Sequence, residues 1–249
     1  MTVTYQGTPL KVILTDIEGT TTDIAFVHQI LFPYSAKYLP DWVRNHLEWP
    51  IVQHTLQQVR EISGKSHLDV EGCLTELMIW HTEDRKITPL KTLQGLIWKE
   101  GYDSGKLRAH VYPDAVECLN RWYAASLTLA VYSSGSIAAQ KLLLGNTLMG
   151  DLNPLFSMYF DTNTGSKIQS QSYLTIAQKL FVLPQEVLFL SDLSEELSAA
   201  SSADLNVCGL NRQNTGSDNN FMYVENFLQI PLQGIELGRG GVLSPAPPV

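Results

Sequence analysis

The feature that most constrains the fold is a regular alternation of short apolar segments with helical segments. From Val111 onward, segments of strand length are separated by segments whose apolar residues recur at helical spacing. The strand candidates are LTLAVY, SMYF, VLFLS and LNVCGL, and the helix candidates are DAVECLNRWYAAS, AAQKLLLGNT, SQSYLTIAQKLF and EELSAASSAD. This alternation predicts right-handed crossovers and a parallel sheet.

The first strand of the same sheet is predicted at Val12–Leu14, an apolar run suited to burial on both faces. Residues 25–108 follow with a helical pattern punctuated by prolines. We therefore predict an α/β fold with a doubly wound, Rossmann-like parallel sheet core, formed by residues 1–24 and 109–249, and an inserted all-helical cap domain, formed by residues 25–108. The Gly- and Pro-rich residues 239–249 are expected to form a flexible tail.

Composition and charge exclude several classes of protein. The net charge of −8 argues against a nucleic-acid surface and against binding to an anionic membrane. The three cysteines are widely spaced and indicate neither a zinc site nor a disulfide framework. The N-terminal residues lack the pattern of a signal peptide, and no apolar run reaches the length of a membrane span. We expect a cytoplasmic protein with free, buried thiols.

Chemically reactive side chains follow each of the first four strands. These residues are Asp16, Glu18, Thr20 and Thr21 after the first strand, Ser133 and Ser134 after the second, Lys167 after the third, and Asp192, Glu195 and Glu196 after the fourth. Because the carboxyl ends of parallel strands lie at one edge of the sheet, loops that are distant in sequence can meet there. The sequence therefore predicts a single site built from these loops.

The residue types at these strand ends suit phosphoryl transfer. A carboxylate can attack phosphorus, and carboxylates can hold a magnesium ion that offsets the charge of a phosphate. Hydroxyls and turn N–H groups can hold phosphoryl oxygens, and a lysine supplies a positive charge. Each motif alone has a simpler interpretation: Ser133-Ser134-Gly135 as a turn, Lys167 as a solvated lysine, and Asp192 as a helix N-cap. Their ordered occurrence favours the catalytic interpretation.

The order of these motifs resembles that of the haloacid dehalogenase superfamily. Within it, four segments are similar to those of the enolase-phosphatases of methionine salvage. They are DIEGTTTDIAFVHQILFPY, DRKITPLKTLQGLIW, YSSGSIAAQKLLLG and LFLSDLSEEL. The resemblance extends from about Val12 to Leu210. Its most specific element is Glu18, since most members of the superfamily have Asp at this position.

The resemblance implies a monomeric enzyme with one Mg²⁺ per chain. It would enolise 2,3-diketo-5-methylthiopentyl 1-phosphate and then remove the phosphate to leave an acireductone. The implied catalytic residues are Asp16, the nucleophile, with Glu18 and Lys167; the implied metal ligands are Asp16, Glu18 through its backbone carbonyl, and Asp192; and the implied substrate-binding residues are Ser133, Ser134 and Lys167.

Some positions depart from the family pattern or stay undecided. Family members often have an Arg-Pro-Gly-Asn-like stretch where this chain has Asn211–Asn214, so we leave that segment out of the predicted site. The separate roles of Glu195 and Glu196 are not assigned. The polar cluster at 84–86 could face the substrate or form a solvated helix end. His28 and His81 are interpreted as structural.

Three other functions are compatible with parts of this pattern. One is a phosphatase or mutase of the same superfamily that acts on a different small phosphorylated metabolite. Another is a signalling receiver domain, although such a domain is much shorter and lacks a long helical insertion. The third is a catalytically silent module that binds phosphoproteins, which would be expected to have lost Asp16 or Lys167.

Overall fold

The computed structural model describes residues 2–213 and 220–235 of the chain. The predicted flexible tail at 239–249 lies outside the described residues. Within the described part, no helix is both long enough and apolar enough to cross a lipid bilayer.

The core of the molecule is a six-stranded sheet in which every neighbouring pair of strands is parallel. A smaller antiparallel sheet joins both ends of the described chain. The small sheet consists of β1 (Thr4–Tyr5), β2 (Thr8–Pro9) and β9 (Leu232–Gln233), and the large sheet of β3 (Val12–Thr15), β4 (Thr128–Tyr132), β5 (Phe156–Phe160), β6 (Val187–Ser191), β7 (Asn206–Leu210) and β8 (Tyr223–Val224). The parallel sheet confirms the predicted fold class. The two-residue strands were not predicted, because so short a segment carries no periodicity.

The strand order β5-β4-β3-β6-β7-β8 fixes the place where a ligand can bind. The chain leaves β3 towards β4 and β5 on one side, and then crosses to β6, β7 and β8 on the other. A crevice forms at the carboxyl ends of strands where the order reverses in this way. Asp16, directly after β3, and Asp192, directly after β6, lie at this switch point.

Helices cover both faces of the large sheet. Alternate residues of β3 point to opposite faces, so that Ile13 joins the hydrophobic cluster under one helical layer and Leu14 the cluster under the other. The first layer contains α6 (Pro113–Ala124) and α7 (Ile137–Gly145), and the second α8 (Ser170–Lys179) and α9 (Ser194–Ser201). Burial on both faces explains why β3 and β6 are uniformly apolar over most of their length.

The chain between β3 and β4 is helical, as the sequence predicts. We call residues 24–103 the helical insertion. It comprises α1 (Ile24–Phe26), a π-helical turn (Val27–Leu31), α2 (Phe32–Asn45), α3 (Pro50–Ser63), α4 (Val70–Thr82) and α5 (Thr88–Asp103). The helices α2 to α5 pack around a hydrophobic cluster of their own that includes Leu39, Val59 and Trp80.

Candidate functional site

Asp16 lies at the centre of the crevice, where the backbone leaves β3. Its N–H donates to the carbonyl of Leu190 on the neighbouring β6, which holds the start of the loop against the sheet. Only 3% of Asp16 is exposed. Burial raises the pKa of its carboxyl group well above the usual range, and the positive charge of Lys167 opposes that shift.

The loop after Asp16 turns sharply at Gly19, whose φ of +75° favours glycine. A Cβ atom built on Gly19 would lie 2.1 Å from Oδ2 of Asp192. No residue with a side chain fits this position without displacing that carboxylate. Gly19 therefore lets the loops after β3 and β6 approach closely enough for Asp16 and Asp192 to share one site.

Two threonines of this loop donate their hydroxyl groups to backbone carbonyls. The hydroxyl of Thr21 donates to the carbonyls of Asp16 and Ile17, at 3.3 and 3.2 Å. The hydroxyl of Thr22 donates to the carbonyl of His110. Thr20 is fully buried. The expectation that the hydroxyls of this loop help to hold a phosphate is therefore wrong for Thr21.

Lys167 is buried between two carboxylates. Its Nζ lies 2.7 Å from Oδ1 of Asp16 and 2.7 Å from Oε2 of Glu196, and 7% of the residue is exposed. Burial alone would lower the pKa of Lys167, but the two carboxylates raise it above its usual value. Lys167 thus carries a positive charge at neutral pH, and the alternative of a solvated surface lysine is wrong.

Three hydroxyl groups hold the backbone that carries Lys167. Tyr132 donates to the carbonyl of Gly165, Ser172 to that of Ser166, and Tyr173 to that of Lys167 itself, at 3.0, 2.8 and 2.7 Å. These bonds tie the loop to β4 and α8. The backbone from which the Lys167 side chain extends is thereby fixed, which helps to position the ammonium group.

Ser133 and Glu18 form a contact between two loops that the sequence places 115 residues apart. The Ser133 hydroxyl donates to Oε2 of Glu18 at 3.0 Å and accepts from the N–H of Gly135 at 3.1 Å. The Glu18 carboxylate is therefore tied to the loop after β4. Ser134 is partly buried beside it, and its carbonyl accepts from Nζ of Lys91 on α5 at 3.3 Å.

Asp192 provides the second carboxylate at the switch point. Its Oδ1 is buried and accepts no hydrogen bond from the described protein atoms. Burial raises its pKa to about 6, and the negative charges of Glu196 and Glu18 add to this effect. A divalent cation with oxygen ligands would satisfy this atom and offset the excess negative charge, so the residues present fit magnesium.

The described residues contain no group of three or more His, Cys, Asp or Glu side chains with the arrangement of a metal site. A magnesium ion here would need a backbone carbonyl and non-protein oxygens beside two carboxylates. Magnesium is commonly held in this way, by one or two carboxylates together with substrate phosphate and water. The carboxylate of Glu18 is engaged by Ser133, which leaves its backbone carbonyl as the group compatible with the sequence-based expectation.

A cavity of about 250 Å³ joins these residues to the helical insertion. Its core side is lined by Asp16, Glu18, Ser133, Ser134, Lys167 and Asp192, and its insertion side by Val27, His28, Phe32, His81, Leu90, Gln94 and Trp98, among others. Asp84, Arg85 and Lys86 are exposed and also line the cavity, so the cluster both faces solvent and faces the site. The predicted catalytic, metal-binding and substrate-binding residues thus all line one cavity.

Two residues of this region have no role assigned from the sequence. Glu196 is 5% exposed, pairs with Lys167 and accepts from the Ser191 hydroxyl at 2.8 Å, whereas Glu195 is exposed. The available signal for Glu196 was an acidic residue four positions after Asp192, in the helix that follows it.

Arg212 is the second, and it lies in the segment 211–214, which is not part of the site predicted from the sequence. Its guanidinium donates twice to the carbonyl of Thr20, at 3.0 and 2.8 Å, and pairs with Asp114 at 2.7 Å. The cation also lies 4.1 Å from the ring centroid of Tyr112. Arg212 therefore braces the loop that follows Asp16, and no local pattern in the sequence points to this contact.

Known proteins that resemble this chain include many enolase-phosphatases. The chain is 55% identical to the protein named enolase-phosphatase E1 of Pseudomonas fluorescens over 204 residues, which cover 82% of this chain and 90% of that relative. It is 50% identical to the protein of the same name from a Sulfurihydrogenibium species, over 92% of this chain and 99% of the relative.

Solved structures agree with the fold. The UTR4 protein of Saccharomyces cerevisiae superposes with a TM-score of 0.76 at 33% identity, covering 88% of this chain and 99% of that one. CbbY of Rhodobacter sphaeroides, in complex with phosphate, has a TM-score of 0.57 at 13% identity and supports the fold alone. The haloacid dehalogenase-like hydrolase family model matches residues 10–204. The chain therefore belongs to the haloacid dehalogenase-like hydrolases and, within them, to the enolase-phosphatases.

Proposed function

We propose that this phosphatase converts 2,3-diketo-5-methylthiopentyl 1-phosphate to the acireductone 1,2-dihydroxy-3-keto-5-methylthiopentene and phosphate, in methionine salvage. The observation that carries the proposal is the meeting of Asp16, Glu18, Ser133, Lys167 and Asp192 in one cavity at the switch point of the sheet. The names of relatives that are 50–55% identical over most of the chain support the reaction class.

Asp16 is the proposed nucleophile. Its carboxylate attacks phosphorus, the bond from phosphorus to the substrate's bridging oxygen breaks, and the phosphoryl group is carried as an aspartyl-phosphate. Water then attacks that phosphorus, the bond from phosphorus to the Asp16 oxygen breaks, and inorganic phosphate and the free carboxylate are released. Lys167, whose Nζ lies 2.7 Å from Oδ1 of Asp16, opposes the rise in the pKa of that buried carboxyl group and stabilises negative charge that develops on the phosphoryl oxygens.

Glu18 is the proposed proton carrier. Its side chain is one methylene longer than the Asp of most superfamily members, and the hydrogen bond from Ser133 directs it towards the loop after β4. From there it can remove a proton from the carbon between the phosphate and the first carbonyl group. Once it has returned that proton to the enol oxygen and has taken up another from solvent, the same residue can protonate the leaving oxygen, and as a carboxylate it can later activate the water.

One magnesium ion per chain is the proposed cofactor, held by Asp16, Asp192 and the backbone carbonyl of Glu18. When bound, it would offset the phosphate charge and act as a Lewis acid. Ser133, Ser134 and Lys167 are the proposed substrate-binding residues. The magnesium assignment is supported by Oδ1 of Asp192, which is buried and accepts no hydrogen bond from the described protein atoms.

The helical insertion forms most of the proposed cap domain, which spans residues 25–108. Residues 1–24 and 109–249 form the proposed core. The aromatic and aliphatic side chains on its side of the cavity would exclude water and contact the apolar end of the substrate. Lys91 connects the insertion to the loop of Ser134. A monomeric state and a cytoplasmic location complete the proposal.

Turnover of the synthetic diketone phosphate tests this function. Phosphate release and the ultraviolet absorbance of the enol are followed together, with and without magnesium. We expect both signals, and both should depend on the metal. Release of phosphate without enol absorbance would leave only a phosphatase for a different small metabolite, and absence of both signals would refute the proposed substrate.

A further inference from the structure

His81 occupies an unusual place on the insertion side of the cavity. It lies in the last turn of α4, is partly buried, and lines the same cavity as Asp16. The edge of its ring faces Phe32, with 5.8 Å between the ring centroids. The wall around it includes apolar side chains, among them Leu90 and Trp98. A polar ring in such a wall is a candidate to contact a polar atom of the substrate.

Gln94 on α5 fixes the orientation of this ring. Only 6% of Gln94 is exposed, and its side-chain Nε2 lies 3.3 Å from Nδ1 of His81. With the amide N–H groups facing Nδ1, that nitrogen is the acceptor, and the proton of a neutral imidazole is on Nε2. The contact therefore selects the tautomer in which Nε2 is a hydrogen-bond donor.

Burial also keeps His81 neutral. It lowers the pKa of the imidazole, and the negative charge of Asp84 opposes the shift only in part. Besides Asp84, the charged or titratable side chains on the insertion side of the cavity are His28, Arg85, Lys86, Lys91 and Tyr102. A neutral N–H donor can bind a carbonyl oxygen and then bind it more strongly as negative charge develops there.

We propose that His81 is a catalytic residue of the enolisation step, whose Nε2–H donates a hydrogen bond to a carbonyl oxygen of the diketone, and that Gln94 is its positioning residue. The inference rests on the proposed function. In the proposed function the phosphate lies beside Asp16 and Lys167, so the carbonyl groups would extend towards the insertion side of the cavity, which His81 lines.

The step is a tautomerisation that needs no further reactant. A proton leaves the carbon beside the phosphate ester for the base Glu18, and the electron pair of that C–H bond becomes a C=C bond. The π pair of the adjacent carbonyl moves onto its oxygen, which the base then protonates. The Nε2 proton stays on His81 throughout and stabilises the charge on the oxygen through the hydrogen bond.

The test compares two substrates on each of four proteins: the parent, His81→Phe, His81→Gln and the control His54→Gln. His54 is an exposed histidine on α3, so its substitution reports on the loss of a histidine away from the cavity. The substrates are the diketone phosphate and an aryl phosphate that has no carbonyl group. The ratio of the two kcat/KM values is taken within one sample, so it does not depend on the fraction of enzyme that is folded.

We expect His81→Phe to lower this ratio by about 100-fold, the effect of losing one donor to a developing oxyanion. His81→Gln retains an N–H donor, so its ratio should be about tenfold higher than that of His81→Phe. The remaining loss should be in kcat and not in KM, because the hydrogen bond strengthens in the transition state. The ratio for His54→Gln should equal that of the parent.

Gln94→Leu supplies the second measurement. It should lower the ratio in the same direction as His81→Phe, and the double variant should be no worse than His81→Phe alone, because both changes remove the same donor. An unchanged ratio in His81→Phe would show that the residue is structural and would overturn the inference while leaving the proposed function intact. A parent enzyme that forms no enol would refute both.

Discussion

Replacement of Gly19 by alanine tests the close approach of the two loops at the switch point. The new Cβ would lie 2.1 Å from Oδ2 and 2.5 Å from Cγ of Asp192, whereas carbon and oxygen atoms in ordinary contact are at least 3.4 Å apart. The carboxylate or the loop must therefore move by about 1 Å, a displacement that can cost about 100-fold in activity. The positive φ of +75° adds roughly 1–2 kcal/mol of backbone cost for alanine.

The chain offers a matched control in Gly7, which lies between β1 and β2, away from the cavity. Its φ is +83°, and nothing lies within 4 Å of a Cβ built on it. Gly7→Ala therefore carries a similar backbone cost without displacing any side chain. Both variants should be destabilised in urea denaturation, and Gly19→Ala further by about 1–3 kcal/mol through the steric overlap.

The assay is magnesium-dependent hydrolysis of an aryl phosphate, followed by phosphate release over a range of magnesium concentrations. Gly19→Ala should need more magnesium for half-maximal activity and should reach a lower plateau, whereas Gly7→Ala should match the parent. If Gly19→Ala retains the parent's rate and magnesium dependence, the position of Asp192 does not matter to the metal and the reasoning fails.

Three further predictions concern the buried polar groups. Glu196→Gln should cost about 1–3 kcal/mol in urea denaturation and lower kcat, because Lys167 keeps only one anionic partner, whereas the exposed Glu195→Gln should cost less than about 0.5 kcal/mol. Arg212→Met should destabilise the protein by about 3–5 kcal/mol, and Arg212→Lys should recover only part of this, since a lysine cannot reproduce the forked donors. Folding lowers the pKa of His81, so the unfolded chain takes up a proton at higher pH than the folded protein does. The free energy of unfolding of the parent relative to His81→Gln should therefore fall as the pH drops below about 6.5. A difference in this free energy that is constant from pH ~7.5 to ~5.5 would refute the prediction.

The fold and the centre of the site could be predicted from the sequence because both follow from short-range patterns. An apolar run such as Val12–Leu14 is typical of a strand buried on both faces, and alternation with helices implies a parallel sheet. Once the strands are parallel, Asp16 and Asp192 must lie at the same edge. The convergence of the loops is thus a consequence of topology and needs no knowledge of side-chain contacts.

The contacts that depend on the exact orientation of side chains could not be predicted from the sequence. Glu195 and Glu196 are neighbours on a short helix, and only the packing of α9 against the sheet decides that Glu196 faces Lys167. Arg212 reaches Thr20 across 192 positions, with no local pattern to indicate it. His81 was interpreted as structural because a single histidine near a helix end gives no periodic signal, and its place in the cavity depends on how α4 and α5 pack.

The central claim is that Asp16 carries the phosphoryl group in a step separate from enolisation. The most direct measurement is the reaction of Asp16→Asn with the diketone phosphate in excess magnesium, with metal binding verified independently. Asparagine keeps an oxygen ligand but cannot form the aspartyl-phosphate. The account predicts that ultraviolet absorbance of a phosphorylated enol accumulates while no free phosphate is released. Release of phosphate at the parent's rate, or the absence of both signals with metal bound, would contradict it.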